Sequence, residues 1–132
     1  MSNVTKTRLL LAAPTSLMGS SLRTYLATVS EIELVGSVTM LENIVCNLQA
    51  CQAHVLLLDA GMFSGSLRFF MESFLSEVNL ALPCVKSIVL VDSLAQQRAV
   101  LRAKNTQVLL KGELGDRLRE AILSNLTHSV AR

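Results

Sequence analysis

The stretch His54-Val55-Leu56-Leu57-Leu58-Asp59-Ala60-Gly61-Met62 decides the fold. Four apolar residues run without interruption into a carboxylate, and a glycine follows two residues later. An unbroken apolar run of this length reads as a strand covered on both faces, the habit of central strands in parallel sheets. Open α/β sheets bind their ligands outside the carboxyl ends of the strands. Asp59 is therefore placed where such folds do their chemistry.

Working outward from this strand, the chain alternates between strand and helix signals. Arg8 to Ala13 is a buried-strand candidate that Pro14 breaks, and Thr15 or Ser16 can cap the helix that follows. That helix places Leu17, Met18, Leu22, Tyr25, Leu26 and Val29 at helical spacing. Ile32 to Val38 is the second strand, and Thr39 is expected to cap a helix through about Gln52 with Leu41, Ile44, Val45 and Leu48 on one face. After Asp59, a loop with two glycines leads to a third helix over about 66–79, whose Phe70, Met71 and Phe74 are read as core. Ser87 to Asp92 is a fourth strand, also ending on a carboxylate. A short helix over about 94–103, a fifth strand Gln107 to Lys111 and a last helix over about 114–126 complete the pattern. Five strands alternating with five helices predict a three-layer α/β sandwich with right-handed crossovers around a parallel sheet.

Composition excludes several function classes. At 132 residues and 51% hydrophobic, the chain suits one domain with a proper core. No apolar run approaches the ~20 residues of a membrane span, and Met1 to Lys6 lacks the apolar core of a signal peptide. These features are read as a cytoplasmic protein that does not contact membrane. A net charge of +2 gives no case for nucleic-acid binding by the bulk of the chain. The three cysteines, Cys46, Cys51 and Cys84, form no CxxC pair and are expected to be small buried hydrophobes. His54 and His128 bring no obvious third ligand, so no metal and no cofactor are expected, and His54 at the head of its strand is read as structural.

The strand ends bring together Ala13 and Pro14, Asp59, Asp92 with Ser93, and Lys111 with Gly112. A carboxylate beside a lysine at the mouth of such a sheet resembles the receiver domain of bacterial two-component response regulators, most of all the NarL/LuxR branch. The resemblance covers nearly all of the chain. Asp59-Ala60-Gly61-Met62 is similar to the family's D-x-x-M-P with Phe63 in place of the proline, and Arg102 to Gly112 is similar to the stretch around its lysine. The resemblance implies a CheY-like domain over 7–127, a polar tail over 1–6, and a second tail or linker start over 128–132. It implies strand order 2-1-3-4-5, with Asp59 at the phosphoacceptor position and Lys111 at that of the family's lysine.

The departures from the family carry the functional expectation. Working receivers end their first strand on an acidic pair that holds Mg²⁺ with the phosphoacceptor; here Ala13 and Pro14 stand there, without side-chain oxygens. The switch Thr/Ser position falls on Asp92, with Ser93 next, and a carboxylate repels a phosphoryl group. The expectation is a non-enzymatic pseudo-receiver in which Lys111 pairs with Asp59, Asp92 or both, with weak or no Mg-dependent phosphorylation. Three alternatives stand beside it: Asp59 and Lys111 as solvated remnants, Asp59 as a functional phosphoacceptor, and a small-molecule-binding flavodoxin-like domain. By the same resemblance, the partners are a second copy, through the face of the fourth helix, fifth strand and fifth helix, and a sensor kinase or other signalling protein. Arg98, Arg102, Arg117 and Arg119 mark that face, whose alternative reading is a solvated charged surface. DNA contact is expected only through a C-terminal domain beyond these residues.

Overall fold

A computed structural model describes residues 6–15, 17–63, 70–92, 106–111 and 116–131. Strands β1 (Thr7–Ala12), β2 (Ile32–Val38), β3 (Val55–Asp59), β4 (Lys86–Val91) and β5 (Thr106–Leu110) form one sheet in the order β2-β1-β3-β4-β5. Every pairing is parallel. The described helices are α1 (Leu17–Ala27), α2 (Ile44–Cys51), α3 (Met71–Ala81) and a C-terminal helix (Asp116–Ala131). They account for four of the five helices expected; the other, over 94–103, lies outside the described residues.

The apolar run of β3 behaves as its sequence predicts, because both faces of the sheet are covered. Leu56 and Leu58 join a cluster with Ile44 and Leu48 of α2 and Met71, Leu75 and Val78 of α3. Val55 and Leu57 point the other way, into a cluster with Leu22 and Leu26 of α1 and Leu118 and Ile122 of the C-terminal helix. The period-2 alternation of a strand thus feeds two cores at once. All four of these β3 side chains are at most 2% exposed, and burying each stabilises the fold by about 1.5–3 kcal/mol. Alternate residues of β1 and β4 divide between the two clusters in the same way.

Several local readings are corrected by packing. Thr39 does not cap a helix: a 3₁₀ turn, Leu41–Asn43, intervenes, and neither it nor α2 has a side-chain cap hydrogen bond. Only Ile44 and Leu48 of the expected apolar face are buried; Leu41 and Val45 stay half-exposed. After β3 the chain makes a 3₁₀ turn, Ala60–Phe63, before α3. Phe70, read as core, is 57% exposed, while Phe63 is buried and meets Phe74 with ring centroids 5.6 Å apart. The last helix, read as 114–126, runs on to Ala131. The cysteines are not buried hydrophobes: Cys46 and Cys84 are exposed and Cys51 is half-buried. Hydrophobicity scales place thiols inside, but these three sit on α2 and in the loop before β4, where the buried positions are taken by larger apolar side chains.

At the amino edge of the sheet, His54 has the structural role expected of it. The Arg8 backbone N–H donates to His54 Nδ1 at 3.1 Å. The Arg8 guanidinium donates to the Cys51 carbonyl at the C-terminus of α2, where a cation also suits the helix dipole. These residues lie at the opposite end of the strands from Asp59.

Candidate functional site

The carboxyl ends of β1, β3, β4 and β5 converge, as parallel strands in this order must. Asp59 is the last residue of β3 and is 3% exposed. Its Oδ1 accepts the Gly61 backbone N–H at 2.8 Å, the Asx-turn geometry that an aspartate two residues before a glycine favours. A side chain at residue 61 would crowd this arrangement, since a Cβ there would lie 3.1 Å from Asp59 Oδ1 and 3.7 Å from Pro14 Cγ.

Lys111 follows β5 directly and reaches across to β3. Its Nζ lies 2.7 Å from Asp59 Oδ1 and 3.2 Å from Asp92 Oδ1. Two carboxylates thus share one ammonium. The partners are unequally buried: the side chain of Asp59 is 4% exposed, that of Lys111 17%, and that of Asp92 60%. Burial by itself pushes the Lys111 ammonium toward losing its proton. The hydrogen bonds and charges of Asp59 and then Asp92 outweigh that effect and hold its pKa above the ordinary lysine value. The ammonium stays charged across the physiological range.

At the end of β1, Ala13 is 5% exposed and Pro14 half-buried. Neither has a side-chain oxygen, and the Ala13 N–H is bonded to the Val38 carbonyl at 3.1 Å. Mg²⁺ demands near-octahedral oxygen ligands. The donor set around Asp59 does not fit it: one carboxylate oxygen already takes two donors, the β1 side offers a methyl and a ring, and the second carboxylate is drawn to Lys111. Among the described residues, no three His, Cys, Asp or Glu side chains are grouped to hold a metal ion.

Asp59, Lys111, Asp92, Ala13 and Pro14 therefore come together at one strand edge. Ser93, Arg98 and Arg102 lie outside the described residues. Arg119 turns back to the start of β2 and pairs with Glu31, whose carboxyl is held below the ordinary value chiefly by that hydrogen bond. Arg117 and Glu120 border a shallow depression against Gln107 and Leu109 of β5. The Gly61 N–H escaped the sequence reading, although the Asp-x-Gly spacing was its signal. A groove beside the site, between the 3₁₀ turn after β2 and α3, carried no sequence signal, because helical spacing marks its apolar residues as core.

No protein-family model matches the sequence, and no curated protein matches it by sequence. Solved structures do match. The isolated REC domain of RcsB from Salmonella enterica serovar Typhimurium, determined with the phosphomimetic BeF3⁻, is similar at TM-score 0.67 and 21% identity, over 83% of this chain and 80% of that one. A structure of two RcsB dimers bound to two parallel DNAs is similar at TM-score 0.76 and 21% identity, over 94% of this chain. The present chain spans 62% of that RcsB chain. A LuxR-family two-component response regulator from Aurantimonas sp. SI85-9A1 is similar at TM-score 0.78 and 10% identity, over 94% of this chain and 87% of that one. Among the described residues, no helix is long and apolar enough to cross a membrane. The strand order, the helices on both faces and these likenesses together give the chain the fold of a response-regulator receiver domain.

Proposed function

We propose that this chain is a pseudo-receiver, a signalling and protein-interaction module of a two-component-type pathway of transcription regulation, whose receiver site is held shut by its own side chains. One observation carries the reading: Lys111 Nζ sits 2.7 Å from Asp59 Oδ1 and 3.2 Å from Asp92 Oδ1, beside Ala13 and Pro14. Phosphoryl transfer relies on positioning and on cations that neutralise the moving charge. In this reading one oxygen of the Asp59 carboxylate is engaged by both Lys111 and Gly61, the metal-holding oxygens of β1 are missing, and Asp92 repels an incoming phosphoryl group. The pocket is then filled permanently by charge that a phosphoryl group would otherwise control.

In the same reading, output comes through protein contact. RcsB assembles as dimers on DNA; for this chain we propose a homodimer through the face that carries Arg98, Arg102 and Arg117, with a sensor kinase or another signalling protein as a further partner. In this reading DNA is contacted only where a further domain is joined to these residues, and not by these residues themselves. Charge reversal at Arg102, Arg102→Glu, is expected to lower the mass measured by light scattering; an unaltered dimer removes this face from the proposal. For the site itself, the experiment is a titration of ¹⁵N-labelled protein with beryllofluoride and Mg²⁺. The expected result is no saturable shift at Gly61, Asp92 or Lys111. Large shifts there at ordinary Mg²⁺ concentrations establish Asp59 as a working phosphoacceptor and overturn the pseudo-receiver.

A further inference from the structure

The groove beside the site has a volume of about 790 Å³, within the range of pockets that hold small organic ligands. Its floor is Pro14, Gly61 and Met62. Leu41 and Val45 form one wall, with Met40, 51% exposed, at the lip; Phe74 of α3 forms the other. Both Leu41 and Val45 are apolar residues that the fold leaves half-exposed, and their unburied surface faces this space. Each wall contributes one exposed carboxylate, Glu42 from the 3₁₀ turn and Glu77 from α3. No basic side chain is among the described residues that line it. Pro14 matters to this surface. An acidic residue there would put a third carboxylate on the floor; the proline ring instead gives an apolar floor packed toward Gly61.

An apolar slot flanked by two carboxylates selects for apolar area joined to positive charge. A second copy of the chain is a poor occupant. A two-fold contact through this face brings the pair Glu42 and Glu77 of one copy toward the same pair of the other, and like charges so placed are repulsive. We infer that the groove binds a small hydrophobic cation, an aryl or polycyclic amine, with its body against Pro14, Met62, Val45 and Phe74 and its charge between Glu42 and Glu77. The inference does not rest on the phosphorylation of Asp59, which is not among the residues that line the groove.

The probe is crystal violet, a cationic triaryl dye, titrated into ¹⁵N-labelled protein and followed by dye fluorescence and amide shifts. The anionic naphthalenesulfonate ANS serves as the counterpart of opposite charge. Saturable binding of the cation is expected with Kd below about 1 mM, with shifts centred on Leu41, Val45, Gly61, Met62 and Glu77. Glu42→Gln/Glu77→Gln alters only exposed side chains and is expected to weaken the cation about tenfold or more without weakening ANS, whose repulsion by the two carboxylates it removes. Absence of saturable binding overturns the inference. So does equal affinity for the two dyes, an unchanged affinity in the double variant, or a set of shifts elsewhere. A concentration-dependent doubling of mass that perturbs the same amides also overturns it, since a second copy then fills the groove.

Discussion

Replacing Lys111 with methionine tests the closed site most directly. Methionine keeps the apolar stem of the side chain and removes only the charge. Asp59, with 4% of its side chain exposed, then keeps a buried negative charge with the Gly61 N–H as its remaining hydrogen-bond donor among the described residues. Breaking a buried ion pair from one side costs about 3–5 kcal/mol. The surviving hydrogen bond from Gly61 to the carboxylate offsets part of this, which places Lys111→Met near the lower bound, about 3 kcal/mol. The pair to Asp92 contributes little, because that carboxylate is 60% exposed, and Asp92→Asn is expected to cost less than about 1 kcal/mol. Combining Lys111→Met with Asp59→Asn removes the orphaned charge and leaves an amide oxygen to accept from Gly61. The double variant should therefore recover about 2 kcal/mol relative to Lys111→Met alone. The assay is urea unfolding at neutral pH. With an m-value near 2 kcal/mol/M, the single variant shifts the midpoint down by roughly 1.5 M. A loss below about 1 kcal/mol in Lys111→Met, or additive losses in the double variant, refutes the reasoning that a buried, coupled pair closes the site.

The raised pKa of Lys111 gives a pH signature. Its stabilising contribution is complete below the unfolded lysine value of 10.5 and is lost as pH rises through the higher folded value. The wild-type unfolding midpoint should therefore fall more steeply above that pH than the midpoint of Lys111→Met; parallel curves contradict the pairing. Glu31 has the opposite sign: its carboxyl is held below 4.5 by Arg119, so its contribution is present above that value and lost as pH falls through the lower folded one. In Arg119→Ala the Glu31 carboxyl resonance should titrate closer to 4.5, and a titration midpoint that does not move means the pair is not formed in solution. Gly61→Ala puts a methyl 3.1 Å from an Asp59 oxygen that Lys111 and the Gly61 N–H hold in place. It should destabilise by about 1–3 kcal/mol in thermal or urea unfolding, and a neutral effect shows that the Asp59 side chain is free to shift.

The parts of this protein that its sequence determined are those set by periodicity and order. A run such as Val55 to Leu58 can only be satisfied by cover on both faces, and five such runs separated by helical spacing leave few ways to connect a sheet. Ala13, Pro14, Asp59, Asp92 and Lys111 could be placed at one edge from this pattern, because the carboxyl ends of parallel strands coincide whatever the loops do. Boundaries and burial at half-covered positions were not legible in the same way. Phe70 and Phe63 look equally apolar in sequence, yet one is 57% exposed and the other 1%; only the path of the turn Ala60–Phe63 separates them. The cysteines were misplaced for the same reason.

Tertiary structure alone decided the chemistry of the edge. Sequence could propose that Lys111 meets Asp59, Asp92, both or neither. Distances of 2.7 and 3.2 Å to the two carboxylates follow from the sheet register, in which Leu110 pairs with Val91, so that Lys111 and Asp92 leave their strands side by side, while Asp59 ends β3 level with Leu90 and Leu109. The groove above Pro14 and Met62 was likewise invisible along the chain, since helical spacing marks which residues are apolar but not which of them find a partner. Local sequence sets the direction in which each side chain leaves the backbone; which groups it meets depends on elements tens of residues away, and only their packing brings those groups within reach.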